Sequence, residues 1–378
     1  MELSKEVYGL VVRHVRTRSD LLSLSMVSKN FQREAEKALY NTLHLRGRTR
    51  STTICTTLSS APRVAAYVEA LSLFIDGGQE DNGSEDAEED EEVGESDYSD
   101  EFWDVVASAL RRTTKLRFLS VYLERVPEVS QARILDGCSF QLHTFHCEFA
   151  WDTHLETFLR SQTVLIDLYL ADYRELHSSA DTEPQPTAIL PSLPALECLE
   201  CTFSEAAMLL IPGRPVVRVK TCFSRNKTEK HAELQDLLAN LKQSRKSLRA
   251  LDLADESYDS GFTLEMLALM IATFAHGGTL RYLGTLVFPV DGKERITFYT
   301  RLMRLPRLRC VELELTEWEP PPMTPAALRA LTYELRIYCP SIDRVIYVYD
   351  FDRVVMKVED NVCVLDSEAV ADNLWREV

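Results

Sequence analysis

Leu116-Arg117-Phe118-Leu119-Ser120-Val121-Tyr122-Leu123 carries the pattern that organises most of this chain. Apolar residues stand at its first, fourth, sixth and eighth positions. From the fourth onward they alternate with other residues, which suits a short strand with one face turned inward. The form apolar-x-x-apolar returns, usually extended by further alternation, from Val68, Leu142, Leu165, Leu196, Val216, Leu248, Leu280, Leu308 and Ile342.

Between these runs lie stretches with helical spacing: Glu229 to Arg245, Thr263 to His276, Lys293 to Leu305, and Thr324 to Cys339. The last opens on Thr324-Pro325, and proline suits a first helical turn. Gly277-Gly278 reads as a helix stop. The expected fold class is therefore α/β. Apart from the first gap, successive runs start 20 to 34 residues apart, close to a leucine-rich repeat period. Strand and helix in alternation give a curved solenoid, with parallel strands on the concave face and helices on the convex face. The array resembles degenerate leucine-rich repeats. The Leu280 run breaks at Gly284-Thr285-Leu286, and an ordinary domain with a parallel sheet is the alternative architecture.

The first gap is wide because it holds an acidic insertion, 76–101, with fourteen Asp and Glu and no Lys or Arg. Gly and Ser interrupt it, a composition that predicts disorder, with Ser84, Ser96 and Ser99 as candidate phosphorylation positions. The formal net charge is −17, but outside the insertion 45 acids face 42 bases. The folded remainder is nearly neutral, and nothing in it would recruit nucleic acid. A Pro-containing stretch from Ser178 to Pro194 reads as a second exposed loop.

Upstream of the repeats, Leu3, Val7, Leu10, Val11 and Val15 recur at helical spacing. Ser19 and Asp20 offer a cap for a second helix through Leu21, Leu22, Leu24 and Val27, and Ser28 offers one for a third, with Phe31, Ala35 and Leu39 on one side. The order Asp20-Leu21-Leu22-x-Leu24-Ser25-x-Val27-Ser28-Lys29-x-Phe31, followed by Ala35 and Leu39-Tyr40, resembles an F-box of the fungal type. The family usually has Leu-Pro near its start, where this chain has Leu3-Ser4. The expected organisation is an F-box-like helical domain at 1–45, a linker with a lead-in helix at 46–66, and a repeat solenoid at 67–378.

No constellation for chemistry emerges. Cys198-x-x-Cys201 has no second pair, and residues three apart on a strand point to opposite faces. His143, His146 and Cys147 meet the same objection. Gly-rich phosphate loops and nucleophile elbows are missing, and Glu312 and Glu314 read as two carboxylates on one solvated strand face. The expectation is a non-enzyme without cofactor or metal. Nine irregularly spaced cysteines and no secretory leader predict reduced thiols in the cytosol or nucleus. The longest uncharged apolar run, Met266 to Ala275, is too short to span a bilayer, so no membrane is expected as a partner.

The F-box resemblance implies a substrate-recognition subunit of an SCF-type (cullin-RING) ubiquitin ligase. Adaptor contacts would fall among Leu3, Val7, Leu10, Val11, Leu21, Leu22, Leu24 and Val27. A target protein would lie on the concave face, read from the outward strand positions as Phe118, Tyr122, His146, Tyr169, Arg218, Lys220, Tyr282, Glu312 and Glu314. An interaction scaffold without a ligase role is the other reading.

Overall fold

The computed structural model describes residues 4–76, 99–124, 131–171, 193–225, 229–255, 259–274 and 278–378. Leu3, Gly277, most of the acidic insertion and most of the stretch from Ser178 to Pro194 lie outside these residues. The chain is mixed α/β and forms two compact units, Met1–Pro194 and Ala195–Val378.

The first unit opens with three helices, α1 (Lys5–His14), α2 (Arg18–Ser25) and α3 (Lys29–Tyr40). Ser28 caps α3 through a 3.3 Å bond from the Phe31 N–H, as its position predicts. The cap of α2 is Thr17, whose hydroxyl accepts from the Asp20 N–H at 3.1 Å. Ser19 and Asp20, the sequence candidates, sit inside the helix, where Asp20 instead places an acid in the first turn.

Strand β1 (Thr42–Arg46) follows directly and pairs in parallel with β2 (Ala70–Asp76). The sheet thus begins inside the stretch read as helix and linker. Between them, α4 (Arg48–Ser60) starts after Gly47, whose φ of 77° suits a residue without Cβ. Helix α4 is rich in Thr and Ser, poor helix formers. Their hydroxyls turn back onto carbonyls four residues earlier, as Thr52 does to Arg48 and Thr56 to Thr52. Its buried side holds Cys55 and Leu58, and α5 (Pro62–Ala65) completes the connection.

Helix α6 (Asp100–Arg112), strands β3 (Phe118–Glu124) and β4 (Thr144–Cys147), helix α7 (Thr153–Ser161) and strand β5 (Asp167–Leu170) finish the unit. Strands β1 to β5 run parallel in sequence order. Register aligns Leu43, Leu71, Leu119, Phe145 and Leu168 in one buried row. The helices cover that core face; the Phe158 ring of α7 sits 5.4 Å from Phe145. Buried Gln162 bonds the Leu142 N–H at 2.9 Å and the Phe140 carbonyl at 3.3 Å, satisfying a turn that water cannot reach.

The second unit repeats the scheme with β6 (Cys198–Cys201), α8 (Ser204–Leu210), β7 (Arg218–Cys222), α9 (Lys230–Leu241), β8 (Ala250–Ala254) and α10 (Ser260–Phe274). Strand β9 (Tyr282–Val287), α11 (Gly292–Leu302), β10 (Cys310–Glu314), α12 (Pro325–Tyr338) and β11 (Arg344–Tyr349) continue it. Strands β6 to β11 are parallel and adjacent in order. Each of the ten apolar runs contains a strand, which begins two residues after the run's first apolar position.

The break in the Leu280 run has a physical cause. Leu283 pairs with Val311 and Leu286 with Leu313, so β9 spends one residue more than β10 and bulges. At Gly284 a Cβ would meet Asp252 Oδ1, Glu312 Cβ and the Tyr282 hydroxyl at 3.0 Å each. Only glycine lets these neighbours approach.

Parallel order ends after β11. Asp350 and Phe351 take positive φ in a tight turn, and β12 (Asp352–Glu359) returns antiparallel to β11. Asp360-Asn361, again with positive φ, leads into antiparallel β13 (Val362–Leu365). A short helix, α13 (Leu374–Glu377), follows on the strand face away from the helices. No helix among the described residues is long and apolar enough to cross a membrane.

Candidate protein-interaction surfaces

Two surfaces merit description, and each is built by a periodicity. On α1 the residues that face inward are Tyr8 and Val12, four apart, both buried. The Tyr8 ring meets Phe31 of α3 edge to face at 4.7 Å. The stripe that sequence periodicity singled out is the opposite one. Val7 and Val11 are more than a third exposed and Leu10 is 52% exposed. On α2, which buries no residue, Leu22 is 54% exposed and Val27 66%, with Met26 more open still. Leu21 and Leu24 are half-buried. Helices of a folded unit normally turn their apolar stripe toward the core, and here two successive helices also carry apolar residues on the outer face.

Ser4 precedes α1 with φ −67° and ψ 157°. Proline holds φ near −65°, so the backbone has the angles that a Leu-Pro start would impose, without the ring.

The second surface is the strand face opposite the helices. In the first unit, register sets His44, Ser72, Ser120, His146 and Tyr169 in one row across the five strands. Thr42, Ala70, Phe118, Thr144 and Asp167 form the row beside it. The expected aromatic residues come together here. Phe74 and Tyr122 stack at 5.0 Å, and His146 meets Phe118 at 5.8 Å and Tyr169 at 5.7 Å. All four expected residues of this unit, Phe118, Tyr122, His146 and Tyr169, are half-buried and reachable.

The second unit departs from expectation. Cys198, Arg218, Ala250, Tyr282 and Cys310 form one outward row, and Glu200, Lys220 and Asp252 the next. Arg218 and Lys220 are half-buried, with Lys220 Nζ between Glu200 and Asp252 at 3.8 and 3.9 Å. Tyr282, Glu312 and Glu314 point to this face but are only 1%, 3% and 3% exposed. They are therefore not a solvated target surface. For Tyr282 the reason is a cover: the segment 369–378 lies across its row, and buried Leu374 and Trp375 cluster with Cys198, Ala250, Tyr282 and Cys310. Arg353 of β12 reaches Glu312 at 3.4 Å and also bonds Asp372.

Sequence reasoning missed this segment. A signal was present, because Cys198, Ala250 and Cys310 are small or apolar at positions where a solvated sheet face would carry polar side chains. They leave room for an indole.

Burial has electrostatic consequences. The Tyr282 hydroxyl donates to Glu312 at 2.8 Å, and the Thr285 hydroxyl donates to Asp252 at 3.0 Å. Burial raises the Asp252 carboxyl above the ordinary range, and the Glu312 charge adds to the shift. Burial likewise pushes Glu314 up to about 7. Burial also raises the thiol of Cys201, whose Sγ lies 3.4 Å from the Thr221 hydroxyl in the core; it is pushed up to about 12. Cys198 lies on the other strand face, 3.3 Å from Arg376 Nη1. Among the described residues no group of three His, Cys, Asp or Glu side chains could hold a metal ion.

No protein-family model matches the chain, and no curated protein matches it in sequence.

Proposed function

We propose that this chain is the substrate-recognition subunit of an SCF-type, cullin-RING ubiquitin ligase. Helices α1–α3 act as an F-box that docks on the adaptor, and the strand face of the first unit captures a target protein in the cytosol or nucleus. The observation that carries this reading is the outward apolar face of α1 and α2, with Val7, Leu10, Val11, Leu22 and Val27 exposed while Tyr8, Val12, Ala35 and Leu39 hold the helices to the fold. Such a face favours a partner that covers it, since burying one leucine-sized side chain contributes about 1.5–3 kcal/mol.

The chain itself does no chemistry in this scheme. It holds the target near a ubiquitin-charged enzyme carried by other subunits, and the rate gain comes from raised effective concentration and orientation. The target face consists of Phe118, Tyr122, His146 and Tyr169, with Phe74 at its margin. Aromatic side chains supply large contact area at low conformational cost.

The test is co-purification with the adaptor, using substitutions in place of a truncation. Removing residues 1–45 would take most of β1 out of the sheet and confuse misfolding with lost docking. Leu10→Asp with Leu22→Asp changes only exposed positions. Loss of the adaptor from the folded double variant supports the proposal, and unchanged binding contradicts it.

A further inference from the structure

The row under residues 369–378 is built like a binding groove. Cys198, Ala250 and Cys310 form a floor of small side chains, Tyr282 stands among them, and Trp375 fills the space above. Polar groups fix the segment at one end. The Arg376 guanidinium donates to Glu200 Oε2 at 2.6 Å and lies 3.3 Å from Cys198 Sγ, while Arg218 donates twice to the Val378 carbonyl, at 3.1 and 2.7 Å.

Two features separate this segment from ordinary core. Residues 366–370, which lead into it, have no regular secondary structure. After Asp366, whose N–H bonds the Val355 carbonyl at 2.8 Å, the bonds from the segment to the sheet among the described residues run through side chains. A docked peptide has these properties.

We propose that this face of the second unit is a recognition groove for a protein segment in which a bulky aromatic residue is followed directly by arginine, and that residues 369–378 are its intramolecular occupant. The floor of small residues selects the aromatic ring, Glu200 selects the following cation, and Arg218 holds a main-chain carbonyl two residues further on. The tethered segment competes with any partner, so the apparent affinity of the intact chain falls by the fraction of time the groove is open. The inference rests on the reading of the strand faces as partner-binding surfaces, and it is independent of adaptor docking.

The probe is a fluorescent synthetic peptide of residues 369–378, titrated in the absence of the adaptor and followed by anisotropy. A full chain carrying Trp375→Ala should bind it at least tenfold more tightly than the unsubstituted chain. Peptides with the Trp375→Ala or Arg376→Glu change should fail to bind, and Glu200→Lys in the Trp375→Ala chain should abolish binding. No binding to a folded Trp375→Ala chain would overturn the proposal. Should that variant misfold, the unsubstituted chain supplies the answer. Saturating peptide should slow alkylation of Cys198 and Cys310, because it occupies the groove whenever the segment leaves it, and unchanged alkylation would overturn the proposal. Neither readout involves the adaptor, so adaptor binding with no peptide binding refutes this inference alone, and the reverse refutes only the docking role of α1–α3.

Discussion

Arg376 and Glu200, separated by 176 residues in sequence, meet through a 2.6 Å bond between guanidinium Nη2 and carboxylate Oε2. The bond is half-shielded from solvent and draws Trp375 onto its floor. Arg376→Glu places two carboxylates together where a charge-assisted bond stood, a loss of about 1.5–3 kcal/mol before repulsion is added. The expected result is release of the segment with the rest of the unit intact. Trp375 is one of four tryptophans, so acrylamide quenching should show one additional accessible indole while the thermal midpoint moves little.

Asp252 and Glu314 give the second unit a pH dependence of defined sign. Both carboxyls hold their protons to higher pH in the folded chain than in the unfolded chain, where they ionise near pH 4. Their contribution to stability is therefore greatest at low pH and is lost as pH rises from about 4 through 7. Asp252→Asn should raise stability at pH 7.5 by at least about 1 kcal/mol and leave it nearly unchanged at about pH 3.5. Urea denaturation of both chains at the two pH values measures the difference.

Ser4 already holds the φ of a proline. Ser4→Pro should therefore stabilise α1 by about 0.4–1 kcal/mol, because it restricts the unfolded chain without straining the folded one. Hydrogen exchange of the α1 amides should slow several-fold. Faster exchange would show that the start of α1 needs the serine.

Tyr8→Ala addresses the inner side of the same helix. Its ring is buried against Phe31 at 4.7 Å, so truncation should cost about 3–5 kcal/mol, as for other buried aromatic side chains. Adaptor binding should then weaken together with stability. Substitutions at Leu10 and Leu22 should separate the two effects.

Much of the architecture was legible in the sequence because it depends on a local rule. Alternation after each leading apolar residue located β2 to β11, and the intervening 3.6-residue spacing located α9 to α12. What escaped depended on contacts distant in sequence. Thr42–Arg46 alternates as a strand should, with Leu43 and Leu45 buried, but it follows a helix without a break and precedes a basic run that resembles a linker. Helix α4 forms from Thr and Ser against their propensity because the sheet fixes both of its ends. The stripe on α1 was found, but periodicity cannot say whether a stripe faces a core or a partner, and Tyr8 with Val12 holds the inner side. The fate of Tyr282, Glu312 and Glu314 was illegible for the same reason. Alternation placed them on the correct face of their strands, but Tyr282 is covered by residues 369–378 and Glu312 is met by Arg353 of β12, both beyond the last repeat.

The central claim is that α1 and α2 offer their outer apolar face to the ligase adaptor. The most direct measurement is the affinity of the purified full chain for that adaptor, compared with the Leu10→Asp, Leu22→Asp variant at matched thermal stability. The account predicts stable association of the unsubstituted chain and a loss of at least a hundredfold in the variant, about 2.7 kcal/mol. Equal affinity of the two chains, or no association of the unsubstituted one, would contradict it.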